Sequence, residues 1–250
     1  MKRTALFLAA MMAFSFPAAA MEGERVPEHN WPHQGIFGTY DKAAVQRGFQ
    51  IYKEVCSSCH SLKYLSYRNL EDLGYTPDEV KAIAAEQTIA DGPNDEGEMF
   101  ERPARPSDAF KSPFANDRAA RFANNGALPP DMSLLVKARP RGEDYIFALL
   151  TGYEKPPADV TLMPGMNWNK FFPGHQLAMA QPLTENRVTY ADGTPATLEQ
   201  EARDVVQFLA WASEPRLEQR KAMGIKTLLF LLVFVGIMKA VKRKVWSDVR

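Results

Sequence analysis

The chain has 250 residues, of which 30 are Lys or Arg and 30 are Asp or Glu, so its formal charge is balanced. A balanced charge offers no electrostatic basis for binding nucleic acid, and no nucleic-acid partner is expected. The length suits one substantial domain together with targeting and anchoring segments. The 18 prolines favour helices joined by long loops over a helical bundle or a large parallel sheet.

The N-terminus has the pattern of a secretory signal peptide. Lys2 and Arg3 precede an apolar run from Thr4 to Phe16, and three alanines follow at 18–20. We predict a signal peptide at residues 1–20, followed by an exported domain at residues 21–220. An uncleaved membrane helix is the alternative, but the run is short and ends in a cleavage-like sequence.

A second apolar segment lies at residues 222–241, where the charged residues Lys226 and Lys239 stand near the ends. Twenty helical residues extend about 30 Å, the thickness of the hydrocarbon core of a bilayer. The basic start of the tail 242–250 predicts a cytoplasmic C-terminus. We expect a single-pass protein of the bacterial inner membrane with its domain in the periplasm. The all-round apolar surface argues against the alternative, a buried helix of a soluble protein.

Cap residues and apolar spacing predict a mostly α fold, with one domain, long loops and one C-terminal transmembrane helix. The predicted helices cover residues 41–52, 76–87, 117–124, 143–151 and 197–213, with a further helical turn at 129–136. Residues 90–113 and 156–182 are expected to be loops. A hairpin is predicted around residues 188–193.

The strongest motif is Cys56-Ser57-Ser58-Cys59-His60. Two cysteines at this spacing can bond to the vinyl groups of a haem, while the adjoining imidazole binds the iron from one face. The motif predicts one covalent haem c with His60 as an axial ligand. A thioredoxin-like thiol–disulfide oxidoreductase is the alternative, but that fold needs a strand before the motif, where a helix is predicted. A four-cysteine zinc site is excluded because the chain has two cysteines.

An electron carrier needs a second axial ligand, and methionine suits because it raises the reduction potential and closes the coordination sphere. A peroxidase would instead need that position open. Two segments offer a methionine: Met163-Pro164-Gly165-Met166 and Ala178-Met179-Ala180. Their chemistry alone does not decide between them.

From Ala44 to the C-terminus the sequence resembles the cytochrome c1 family. The matching stretches include Gln46-Arg47-Gly48, Ala123-Asn124-Asn125-Gly126-Ala127-Leu128-Pro129-Pro130-Asp131, Gly142-Glu143-Asp144-Tyr145, Phe172-Pro173-Gly174, Ala178-Met179-Ala180 and Trp211-Ala212-Ser213-Glu214-Pro215. The resemblance implies that Met179 is the sixth ligand of the iron. It also implies that Asn124 and Pro130 line the haem edge and that Arg139 and Tyr145 lie near the propionates. One departure is the lack of cysteines for the second disulfide found in some bacterial relatives.

The resemblance further implies a subunit of the cytochrome bc1 complex that takes single electrons from the Rieske iron–sulfur protein. A soluble or anchored periplasmic cytochrome c would accept them, and cytochrome b would lie beside the anchor helix. The subunit would not be catalytic alone, since the enzyme activity belongs to the complex. A free-standing anchored cytochrome c that feeds an oxidase is the rival within the same class. The acidic loop 91–101 could steer a basic cytochrome electrostatically, but a solvated acidic surface with no docking role is the interpretation that we prefer.

Overall fold

The computed structural model describes residues 24–249, so the predicted signal peptide at 1–20 lies outside the described residues. The helices are α1 (Lys42–Glu54), α2 (Pro77–Ala85), α3 (Asp117–Ala123), α4 (Gly142–Thr151), α5 (Leu198–Ser213) and α6 (Leu217–Val245). Two antiparallel strand pairs are formed by β1 (Thr88–Asp91) with β2 (Phe100–Pro103), and by β3 (Asn167–Trp168) with β4 (Gln176–Leu177). Short 3₁₀ turns occupy Cys56–Ser58 and Tyr67–Leu73. The predicted mostly α fold is confirmed.

Side-chain caps explain where the predicted helices begin. Asp41 accepts hydrogen bonds from backbone amides of the first turn of α1, including that of Ala44. Thr76 and Glu79 form a reciprocal capping box at α2, and Thr197 caps α5. Each cap satisfies amides that the first helical turn leaves without a partner, so these starts were readable from the sequence.

Helices α1 and α5 pack closely at the centre of the core. A Cβ atom placed on Gly48 of α1 would lie 2.1 Å from the carbonyl oxygen of Asp204 in α5, so only glycine permits this approach. Arg47 reinforces the contact with two hydrogen bonds, of 2.8 and 3.1 Å, to the buried Asp204 carboxylate. Phe49 and Tyr52 pack their rings within 6 Å of Phe208. The end of α1 is thereby held firmly where the cysteine motif begins.

The C-terminal helix α6 extends beyond the predicted span at both ends. It runs from Leu217 to Val245 because the polar residues before position 222 continue the helix. Its most apolar 18-residue window has a mean hydropathy of 2.0 and buries none of its residues in the protein. The helix is long and apolar enough to cross a membrane, as a single anchor requires.

The strands fall in segments that were predicted to be loops. Strand β1 begins at Thr88, two residues before the predicted loop 90–113, and β2 lies inside that loop. The pair is fixed by Arg102, which forms ion pairs with Asp91 and Asp108. The hairpin predicted around residues 188–193 is wrong. Its backbone instead bonds to a helix, because the amide of Val188 donates to the Glu201 carboxylate at 3.1 Å. Residues 129–136 form turns and no helix.

Candidate haem site

The cysteine motif is arranged by a 3₁₀ turn at the end of α1. The backbone amides of Cys59 and His60 both donate to the carbonyl of Cys56, at 3.1 and 2.9 Å. The hydroxyls of Ser57 and Ser58 donate back to carbonyls of the preceding turn, at 2.7 and 2.9 Å. The spacer residues therefore lock the turn, and Cys56 and Cys59 are not joined by a disulfide.

The imidazole of His60 has the tautomer and the protonation state that a metal ligand needs. Its Nδ1 lies 2.8 Å from the carbonyl oxygen of Pro130, and because a carbonyl only accepts, Nδ1 carries the proton. The lone pair is then on Nε2. Burial lowers the pKa of His60, which favours the neutral ring that iron binds. Pro130, expected at the haem edge, thus contributes through its backbone oxygen.

The cysteine environment argues against thiol–disulfide chemistry. Burial, with a smaller contribution from the neighbouring Cys59, raises the pKa of the Cys56 thiol to about 12. A thiol nucleophile needs the opposite shift, towards the thiolate at neutral pH. In addition, helix α1 precedes the motif where a thioredoxin-like fold requires a strand.

The loop that carries Pro130 is fixed to the histidine segment by Asp131. Its carboxylate accepts hydrogen bonds from the hydroxyl of Ser61 at 2.7 Å and from the amide of Lys63 at 2.9 Å. The amide of Met132 donates to the carbonyl of Ser61 at 2.8 Å. These bonds set the distance from Pro130 to His60, and Met132 itself is buried in the core.

The candidate methionines lie on or next to the β3–β4 pair. Met179 is half-buried two residues after β4, and its carbonyl accepts a 3.0 Å hydrogen bond from the hydroxyl of Tyr153. Met166 is half-buried, whereas Met163 is 56% exposed. Of the three methionines, Met179 alone is hydrogen-bonded to Tyr153, which lies just after the end of α4.

Asn169 is a buried residue of this region that sequence reasoning missed. Its amide nitrogen donates to the carbonyl of Leu149 in α4 at 2.7 Å, and its amide oxygen accepts from the backbone of Phe171 and Phe172. The adjacent rings of Trp168 and His175 stack with centroids 4.7 Å apart. A lone Asn in a proline- and glycine-rich loop gives no periodic signal that would have identified it.

The remaining predicted site residues are Arg139, Tyr145 and Asn124, which differ in their exposure and in their contacts. Arg139 is exposed and Tyr145 is half-buried, but they lie close enough for the guanidinium charge to lower the pKa of the phenol, although burial raises it overall. Asn124 donates to the carbonyl of Ala120 at 2.7 Å and so caps its own helix. Arg139 thus acts on Tyr145 through its charge, while Asn124 has a local structural partner.

These features fit a covalently attached haem. Two thiols and a neutral imidazole with a free Nε2 lie within one turn, which is the donor set that a c-type attachment needs. In residues 24–249, no cluster of three or more His, Cys, Asp or Glu could hold a bare metal ion. Iron here would depend on the porphyrin for its equatorial ligands. The class defined by the fold and the site is a c-type haem protein whose described residues, 24–249, include one helix long and apolar enough to span a membrane.

Comparison with known proteins gives the family. The family model described as Cytochrome C1 family matches residues 31–249. "Cytochrome c1 1, heme protein, mitochondrial" of Arabidopsis thaliana is 51% identical over 95% of this chain and 78% of the relative. "Cytochrome c1" of Rhodospirillum rubrum is 44% identical over 100% of this chain and 98% of the relative. A Candida albicans protein, "Cytochrome b-c1 complex catalytic subunit, mitochondrial", is 48% identical over 93% of this chain and 81% of the relative. The chain belongs to the cytochrome c1 family.

Proposed function

We propose that this chain is the haem-bearing electron-transfer subunit of a cytochrome bc1 complex. Its haem would take single electrons from a Rieske iron–sulfur protein and pass them to a soluble or anchored cytochrome c. The observation that carries the proposal is the locked Cys56–His60 turn, with Nδ1 of His60 bonded to Pro130, in a chain of this family. The named bc1 subunit of Candida albicans supports the place in a complex.

Each residue has a separate role in this proposal. Cys56 and Cys59 would hold the haem covalently, and His60 and Met179 would be the residues that bind its iron. The bound haem supplies a reversible one-electron couple, and a His/Met pair keeps the iron six-coordinate and its potential high. Arg139 and Tyr145 face the propionates, where a guanidinium offsets carboxylate charge. Asn124 and Pro130 line the haem edge.

The proposed membrane sidedness rests on the basic end of α6 and on the predicted signal peptide. The basic residues Lys242, Arg243 and Lys244 end α6 and favour a cytoplasmic C-terminus. The signal peptide at 1–20 would then export the domain at 21–220 into the periplasm, where cytochrome c is available. Helix α6, with none of its apolar window buried, would lie beside cytochrome b.

The first test is spectroscopic and uses the detergent-purified protein. It should show the α band of a c-type haem and the weak near-infrared band of sulfur bound to ferric iron. We expect Met179→Leu to lose the near-infrared band and to lower the reduction potential, because a thioether ligand favours ferrous iron. Met163→Leu is the matched control and should keep both properties.

The possible results separate the hypotheses. Retention of the sulfur band in Met179→Leu would move the ligand to Met163 or Met166, and its loss in Met163→Leu would then single out Met163. The lack of any haem spectrum, with two titratable thiols, would instead support the thiol oxidoreductase. Purification without cytochrome b under mild conditions would favour the free-standing cytochrome.

A further inference from the structure

Two large apolar side chains protrude from residues 24–40, which we call the N-terminal strap. Ile36 is 69% exposed and Phe37 is 84% exposed. The strap is otherwise tightly held: Trp31 and His33 are buried, and Trp31 Nε1 donates to the Asp144 carboxylate at 2.9 Å. The chain therefore leaves the protein surface at residues 34–38, the strap tip.

The strap tip is fixed to the start of α6. The ammonium of Lys221 donates to the carbonyls of His33 and Gly38, at 2.7 and 2.8 Å, and these two carbonyls bracket the tip. The amide of Tyr40 donates to the Glu218 carboxylate at 2.9 Å. Both partners belong to the first two turns of α6, so the tip lies within the reach of one lysine side chain from that helix.

The tip is also a closed turn. Gly35 adopts a φ of +74°, which favours glycine. A Cβ on Gly38 would lie 1.9 Å from the carbonyl oxygen of Gln34, so the two ends of the turn are in close contact. Ile36 and Phe37 are thus presented by a defined structure at the end of a clamped segment.

The position and the chemistry of the tip suit a lipid surface. Lys221 directly precedes the apolar span of α6, so the tip stands at the level where this helix would enter a bilayer. Residues 34–39 carry no charge, and the nearby ammonium of Lys221 is already bound by two carbonyls. Apolar and aromatic side chains without neighbouring free charge are favourable in the interfacial region of a membrane.

We propose that Ile36 and Phe37 insert into the headgroup region of the bilayer beside α6. The proposal rests on the membrane anchoring proposed above, and it adds a second lipid contact. A single helix leaves the attached domain free to rotate and tilt. A second contact, clamped through Lys221 and Glu218, would fix the orientation of the haem domain relative to the membrane.

The test uses single-cysteine labelling of the full-length haem protein. Cys56 and Cys59 are the only cysteines in the sequence, and haem attachment consumes both, so Phe37→Cys would supply a unique reactive thiol. The thiol is labelled with an environment-sensitive fluorophore, and the protein is reconstituted into vesicles of phosphatidylcholine and phosphatidylglycerol. Quenching by nitroxide-labelled phosphatidylcholine is compared with quenching by aqueous iodide. Each is expressed as the ratio of emission with and without the quencher, because energy transfer to the haem lowers both emissions equally.

Two matched variants calibrate the result. Phe122→Cys lies in α3 and replaces a side chain that is 93% exposed, so it reports an aqueous surface. Leu228→Cys lies within the apolar span of α6 and reports the bilayer. We expect the nitroxide lipid to quench most of the emission of the label at position 37, and iodide to quench little of it. The label at position 228 should behave in the same way, and the label at position 122 should show the opposite pattern.

Each other outcome overturns the proposal in a distinct way. A label at 37 that iodide quenches as at 122 would place the tip in water. A label that neither agent quenches would be covered by protein, either by a neighbouring part of this chain or by a second copy of it. If the label at 228 also escapes the nitroxide lipid, the anchor itself fails. An unchanged haem α band in all three variants verifies that each is folded.

Discussion

At the scale of single residues, hydrogen bonds orient the side chains of the candidate haem site. His60 is fixed through the carbonyl of Pro130, and that carbonyl is in turn fixed through Asp131. Second partners of this kind set the tautomer and the direction of an axial histidine. The motif at 56–60 was readable from the sequence because it is local. The role of Asp131 was not, because its partners lie about 70 residues away.

Asp131→Asn should destabilise the protein at neutral pH. Burial raises the pKa of this carboxyl, but hydrogen bonds from Lys63, Ser133 and Ser61 outweigh it and hold the pKa below its ordinary value. The carboxylate therefore stabilises the fold above the unfolded pKa of about 4, and this contribution is lost as the pH falls through the folded pKa. We expect a loss of about 1–3 kcal/mol at pH 7, since one amide oxygen cannot replace both carboxylate oxygens.

The measurement is urea unfolding of the haem protein and its variant between pH 7 and pH 3. The difference between the two curves should shrink towards the acid end, as the folded carboxyl of the parent protein takes up a proton. Asp95→Asn, which changes an exposed acidic residue, is the control and should leave the curve unchanged. A constant difference between parent and Asp131→Asn at every pH would show that packing, and not charge, is lost.

Asn169→Leu should loosen the segment that carries Met179. The change removes the bond to the Leu149 carbonyl and leaves the buried amides of Phe171 and Phe172 without an acceptor. Unsatisfied buried groups of this kind cost about 1–3 kcal/mol each. We expect lower stability and, if Met179 is the ligand, an alkaline loss of the sulfur-to-iron band that begins at lower pH than in the parent.

Asn167→Leu is the comparison for that variant, because Asn167 makes only one weak side-chain contact, at 3.4 Å, to the carbonyl of Leu177. It should change both properties little. Equal alkaline behaviour of the parent and both variants would separate Asn169 from the ligand segment and leave it a purely structural residue.

At the scale of elements, helices were predictable where a cap and an apolar repeat coincide. The start of α5 at Thr197 and its end at Ser213 match the prediction. The β3–β4 pair was missed because its strands have two residues each, too few for an alternating pattern. The hairpin expected at 188–193 fails because Glu201 takes up the amide of Val188. Such long-range side-chain bonds have no local signature.

Gly48→Ala tests the close contact between α1 and α5. The new methyl group would lie 2.1 Å from the Asp204 carbonyl oxygen and 2.7 Å from Cβ of Phe208, both on a rigid helix. We expect a loss of roughly 2–3 kcal/mol, because relief requires the helices to separate. Gly224→Ala in α6 is the control, since a Cβ there meets no atom within 4 Å and should be tolerated. Equal denaturation midpoints would mean that α1 can shift without cost.

At the scale of the whole molecule, the haem domain and the anchor meet through a short segment. Leu217 is the buried residue of α6, and Glu218 and Lys221 bind the N-terminal strap. Beyond residue 221 no residue of the helix is buried in the described chain, and Ile225 alone is half-buried. The packing that stabilises the haem domain therefore ends near Lys221, not at the helix start.

This boundary predicts different behaviour for two truncated proteins. A chain that stops after Lys221 should be a water-soluble haem protein with an unchanged spectrum, because two apolar side chains in the strap tip are too weak to retain it on a membrane. A chain that stops after Ser213 also loses the Leu217 contact, the bonds of Tyr40 to Glu214 and Glu218, and the Lys221 clamp. Its midpoint of thermal unfolding should be lower by roughly 6–12 °C, as expected for a loss of about 3 kcal/mol in a domain of this size.

Calorimetry of the two purified proteins, with the haem α band recorded during heating, measures the difference. Equal midpoints would show that residues 214–221 serve the anchor alone and that the strap is held by Asp144 and Glu143 without help from α6. Insolubility of the longer fragment, with a normal haem spectrum in detergent, would show that the haem domain has an apolar surface which α6 or its membrane partners normally cover. A soluble fragment with the parent spectrum would establish that the haem site is complete without the membrane helix.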